Sequence, residues 1–172
     1  MRPKNPLVFA LHGTSRGFGY VVFEGPFTPY DWGTVVARGE KNTSCLAKLE
    51  VLLDRHSPEI LILEEARSVA NRSERIKRLY AAVASMCMAR NIDVAVYSLA
   101  QVKSCFARVG AKTRHEIAQA VGRQISAIAH LMPKLRRAWH SEDRRMAMFC
   151  AAALVLVHFQ LSAATLFDEL SV

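Results

Sequence analysis

Residues 7–24 read Leu7-Val-Phe-Ala-Leu11-His12-Gly13-Thr-Ser-Arg16-Gly17-Phe-Gly19-Tyr20-Val-Val-Phe-Glu24. Two β-prone apolar runs, 7–11 and 17–24, flank the turn formers Gly13 to Gly17, so the stretch predicts a hairpin. His12 stands where the first strand ends. A third strand, Thr34–Arg38, is expected after the breakers Gly25, Pro26 and Pro29. Leu46, Leu49, Val51, Leu52 and Leu53 recur near helical spacing from Thr43 to about His56, with Thr43 or Ser44 as N-cap and Pro58 closing the helix. Residues 59–65, Glu-Ile-Leu-Ile-Leu-Glu-Glu, form a short apolar strand ending in Glu64 and Glu65.

Beyond that strand the period changes to helical. Residues 73–90 place Ile76, Leu79, Tyr80 and Val83 on one face, with Arg75, Lys77 and Arg78 largely on others. Asp93–Tyr97 is a fifth strand. Helices are expected near 99–108 and 113–130, broken at Gly110, and a last one over about 141–160 with His140-Ser-Glu142-Asp143 at its acidic start. Three strands followed by strands alternating with helices predict a mixed α/β sheet in one domain spanning 1–172.

Composition narrows the function classes. The 172 residues are 51% hydrophobic and 22% charged, with a formal charge of +8, which excludes a disordered chain and favours a polyanionic partner such as nucleic acid. Cys45, Cys87, Cys105 and Cys150 are scattered, with no CxxC pair, and read as reduced thiols and not as a zinc site. Met-Arg-Pro-Lys-Asn-Pro at the start has no apolar signal core. Ala151–Val157 is short for a bilayer span. The expectation is an intracellular protein, cytoplasmic or in an organellar matrix, with no membrane partner.

The order of elements and four motifs together resemble the RuvC-type Holliday-junction resolvases, of RNase H-like fold, over residues 7 to 159. In that family the first strand ends in Asp-Pro-Gly-Ser-Arg; here the stretch is His12-Gly-Thr-Ser-Arg16, with Gly19 and Tyr20 at matching offsets. A glutamate closing the fourth strand matches Glu64, and Asn71 also fits. Ala100-Gln-Val-Lys103 and Gly110-Ala-Lys-Thr-Arg114 are similar to the family's Gln-Val-Lys segment and its basic residue near the active site. The acid-headed Asp-Ala-Leu-Ala helix is matched in register by Cys150-Ala-Ala-Ala-Leu154, ending in His158.

The resemblance implies a five-stranded mixed β-sheet flanked by α-helices. It also implies a metal-dependent endonuclease acting on branched DNA as a homodimer. In such a site carboxylates hold two divalent ions, Mg²⁺ or Mn²⁺, that activate water and stabilise the leaving oxygen. Glu64, Asp143, His12, Lys103 and Arg114 are then the catalytic candidates, and Glu64, Asp143, Glu142 and His140 the metal ligands. Arg16, Arg67, Arg72, Arg75, Lys77, Lys112, Arg136 and Arg137 are candidate nucleic-acid contacts, with Lys134 beside the last pair.

Two departures stand against that function, because His12 and Cys150 replace acids with ligands that suit hard cations poorly. Asp143, seven residues before Cys150, would share its helix face and reach the cluster from two turns away. A second register brings His140-x-x-Asp143 to the site, and Glu65 points to the opposite face of the strand unless the strand ends there. Each residue also has a purely structural reading. Acids at a helix start are favoured by the dipole alone, Cys150 is a small packed thiol, and His158 is a core histidine. The rival function is a catalytically inactive protein of this fold that binds structured nucleic acid.

Overall fold

The computed structural model describes residues 5–66 and 73–170. The strands are β1 Leu7–Gly13, β2 Gly17–Glu24, β3 Pro29–Val36, β4 Ile60–Glu64 and β5 Asp93–Tyr97. The helices are α1 Lys41–His56, α2 Glu74–Ala89, α3 Leu99–Ala107, α4 Arg114–Gln124, α5 Ser126–Ala129 and α6 Arg145–Leu170. The sheet order is β3-β2-β1-β4-β5, with β1–β2 and β2–β3 antiparallel and β1–β4 and β4–β5 parallel. The mixed five-stranded sheet is the one expected.

Period-2 alternation divides the strands between two cores. Val8, Ala10, Val21, Phe23 and Ile62 pack with α3, α4 and α6, while Phe9, Leu11, Val22, Leu61 and Leu63 pack with α1 and α2. The Ile76, Leu79, Tyr80 and Val83 stripe of α2 is buried on this second side. The apolar composition of α6 follows from its position. Ala151 through Val157 are all buried, and the helix lies across β2 and β1. Its apolar stretch, Arg145–Ala163, is longer than the sequence reading assumed and is long enough to cross a membrane by length and composition, yet more than half of it is buried inside the protein.

Several boundaries differ from expectation. β3 begins at Pro29, not Thr34, because a proline is tolerated as the first residue of an edge strand. Glu40, not Thr43 or Ser44, caps α1 by accepting from the Asn42 and Thr43 amides. The expected 113–130 helix breaks at Ile125, which leaves helical geometry and buries its side chain beside Ile128. The largest difference is in the last helix, which starts at Arg145. Residues 140–144 precede it, and Asp143 accepts the Arg145 amide (2.9 Å) and the Met146 amide through its carbonyl (3.0 Å). Asp143 and Cys150 therefore do not share a helix face.

At the far edge of the sheet, His158 of α6 meets Tyr97 of β5, with Nδ1 2.6 Å from the phenol oxygen. Burial holds the imidazole below its ordinary value. The neutral ring is the folded form, so its contribution is complete above the usual histidine range and is lost as pH falls through it. The melting temperature is therefore expected to drop as pH falls below the usual histidine value of about 6.5, and His158→Gln to flatten that part of the profile. An unchanged profile in the variant assigns the acid sensitivity elsewhere.

A candidate active-site cleft with an arginine at its centre

The sheet register builds the floor of the site. Ala10 pairs with Ile62 across the parallel β1–β4 ladder, and two residues further along each strand stand His12 and Glu64. Both fall on the α6 side of the sheet, because side chains alternate faces. Both are buried, each 7% exposed, with His12 Nδ1 3.5 Å from Glu64 Oε2. The turn beyond β1 is held in place by Tyr80, whose hydroxyl accepts the Gly13 amide at 2.9 Å.

Arg114 enters from the first turn of α4. Thr113 caps that helix in a reciprocal box with Glu116, which fixes the direction of the Arg114 side chain's approach. Its Nη2 lies 2.9 Å from His12 Nε2, its Nε donates to Cys150 Sγ at 3.2 Å, and its Nη1 is 2.9 Å from Glu142 Oε1. A guanidinium has only donors, so His12 Nε2 must accept and the ring's proton lies on Nδ1, facing Glu64. Arg114 thus bridges His12 and Cys150, the two residues at which the family resemblance leads acids to be expected.

The other polar groups surround this core. One cleft of about 620 Å³ is lined by His12, Arg16, Glu64, Lys103, Lys112, Arg114, Glu142, Asp143, Arg144 and Cys150, among others. Asp143 pairs with Arg145 at 2.7 Å, and the hydrogen bonds from Arg145 hold its carboxyl below the usual value. Burial pushes the Cys150 thiol up, with Arg114 pulling the other way. Cys150 is therefore a thiol, and a poor ligand for a hard cation.

These residues do not fit the pair of divalent ions that the fold's nucleases use. Glu142 and Asp143 are each engaged by an arginine. The histidine nitrogen nearest the guanidinium accepts a hydrogen bond from it, and the thiol accepts another. Among the described residues no group of three or more His, Cys, Asp or Glu is arranged to hold a metal. A positive guanidinium stands among the groups that would have to close on a cation.

Of the remaining candidates, Lys103, Lys112 and Arg16 line the cleft as expected. His140 does not; it is exposed and lies edge-on to Trp139. The reason is the late start of α6, which leaves His140 in the preceding loop. Arg75 is a brace, donating to the Thr14 carbonyl and to Asn42 Oδ1, and Lys77 pairs with Glu74 on α2. Arg136 and Arg137 are exposed on the loop before α6. Arg67, Arg72 and Asn71 lie outside the described residues. Glu65 is exposed past the strand end, its amide donating to the Tyr97 carbonyl. The sequence reading missed Arg144 as a cleft residue and Trp139 altogether, although Trp139 sits within the basic run 134–145.

No family model and no curated protein matches the sequence. Solved structures do. T. thermophilus RuvC in complex with a Holliday junction substrate superposes with a TM-score of 0.65 at 18% identity, over 94% of this chain and 98% of that one. A second T. thermophilus RuvC structure gives 0.59 at 18% identity, over 91% and 97%. Yeast mitochondrial Holliday junction resolvase Ydc2 gives 0.54 at 14%, over 99% and 89%. The chain has the RuvC fold, of RNase H-like type, along nearly its whole length.

Proposed function

We propose that this protein acts on branched DNA as a RuvC-like endonuclease whose cleavage is strongly attenuated. One observation carries the reading: Glu64 and the cations Arg16, Lys103, Lys112, Arg114 and Arg144 converge on a single cleft at the ends of β1 and β4. The formal charge of +8 and the likeness to a RuvC bound to a junction support a phosphate backbone as the occupant. In this reading Lys103 and Lys112 bind phosphates, Arg114 bears on the scissile phosphate, and Glu64 is the acid nearest the chemistry. Two copies act together, since two strands of a four-way junction must be cut. Mg²⁺ or Mn²⁺ is poorly served by the groups around Arg114, so cutting is slow in either ion.

A second reading, a protein that holds junctions without cutting, is favoured by the Arg114 contacts to both substituted positions. Fluorescence anisotropy and cleavage on a four-way junction and a matched duplex separate the two. Tighter junction binding with slow, Glu64-dependent nicking supports the enzyme; tight binding with no nicking in Mg²⁺ or Mn²⁺ supports the binder. Equal affinity for junction and duplex would sink both. Lys103→Ala and Lys112→Ala are each expected to weaken binding across all DNA sequences and to shallow the salt slope by about one. Unchanged slopes would remove these lysines from the interface.

A further inference from the structure

The segment between α5 and α6, residues 130–144, is irregular and long for a connection within a compact domain, and loops of this length usually carry function. At its middle the Trp139 indole is 75% exposed. An isolated exposed hydrophobic residue needs no explanation, but this one is set in a charged frame. The Arg137 guanidinium lies over the ring at 5.6 Å from its centroid, and the His140 ring meets it edge-on at 5.9 Å. Lys134 and Arg136 are exposed on the same loop. Two residues beyond Trp139 the chain reaches Ser141, and Ser141 to Arg144 line the cleft.

We propose that Trp139 is a stacking platform for an unpaired nucleobase, with Lys134, Arg136 and Arg137 taking the adjoining phosphates. An exposed indole among cations suits a single-stranded or branch-point nucleotide, whose base has a free face and whose backbone is anionic. Blunt duplex offers no such face. Consecutive Cα atoms are about 3.8 Å apart, so the Trp139 backbone lies within about 8 Å of Ser141 at the cleft edge, and a base on the indole neighbours a phosphate seated there. This inference rests on nucleic acid being the ligand of the cleft and adds the class of structure recognised beside it.

The chain has two tryptophans, and Trp32 is partly buried against the core. Trp32→Phe therefore leaves Trp139 as the sole reporter in the full-length protein. Titration with oligothymidylate and with a four-way junction is expected to quench its emission. Trp139→Ala should weaken both ligands by about tenfold, and Trp139→Phe should keep most of the affinity. Affinity for blunt duplex should be unchanged in both, and circular dichroism should show all variants folded. Binding without quenching, or a Trp139→Ala loss equal on duplex and single strand, overturns the stacking platform and leaves the cleft reading intact. Absence of binding to every nucleic acid overturns both.

Discussion

Changing His12 and Cys150 to aspartate together with Arg114→Ala is expected to raise metal-dependent junction cleavage by about a hundredfold or more over the native protein. Each preorganised charge-stabilising group at a reacting centre is worth on that order, and a two-ion site supplies both water activation and leaving-group stabilisation. The native cleft has one carboxylate at the strand ends, and its centre is filled by a guanidinium bonded to the two neutral substitutes. Removing the guanidinium and adding two carboxylates inverts that balance.

The same variant has a readout that does not depend on cutting. Three carboxylates brought together beside a buried strand end repel one another, so the metal-free protein should melt early. Mg²⁺ or Mn²⁺ should then raise its melting temperature, with about 2.7 kcal/mol of stabilisation when the ion is at a hundred times its dissociation constant. The double change with Arg114 retained is the control: the guanidinium neutralises the new acids, and metal should add little. If the triple variant neither melts in a metal-dependent way nor cuts, the cleft is not a degenerate two-ion site.

Gly19→Ala is expected to be among the most damaging single methyl additions in the chain. A Cβ built at Gly19 would lie 2.5 Å from both the Ala147 carbonyl carbon and the Met148 amide nitrogen. Those atoms belong to the backbone of α6, so no side chain can turn away to relieve the clash. Overpacking a core by small additions costs about 1–3 kcal/mol, and a clash against a buried helix backbone should reach the upper end of that range. Against a total stability of roughly 5–15 kcal/mol this is a large fraction.

Denaturant unfolding checks it. Gly33→Ala is the matched comparison, because the atoms nearest its new methyl belong to the Tyr20 side chain, from 3.1 Å, and not to a helix backbone. A Gly19→Ala protein as stable as Gly33→Ala would mean that α6 does not approach the sheet so closely. Because α6 also carries Cys150, the Gly19 variant should lose DNA binding in step with its stability.

The unbroken apolar runs Leu7–Leu11 and Ile60–Leu63 made the sheet readable, since a strand with both faces buried is apolar at every position and ends where polar residues begin. The α2 stripe was equally legible. The start of α6 was not. Glu142 and Asp143 look like first-turn acids, but Asp143 spends its carboxyl on the Arg145 amide and guanidinium just ahead of the helix. Capping propensity cannot say whether an acid sits at the cap or one turn inside. Trp139 was hidden for a related reason: exposure of an aromatic in an irregular loop has no periodicity to announce it.

The sequence by itself determined the order of strands and helices and the excess of positive charge, because each depends on residue type and local spacing; that His12 and Cys150 stand where acids are expected followed from the family resemblance. Only the tertiary structure decided what surrounds those two residues. Arg114 and His12 are separated by 102 positions, and Arg114 and Cys150 by 36. No local pattern relates them; the packing of α4 and α6 against the β1–β4 end does. Once they are close, a donor-only guanidinium matches a neutral ring nitrogen and a thiol, and the cleft holds a fixed positive charge of its own.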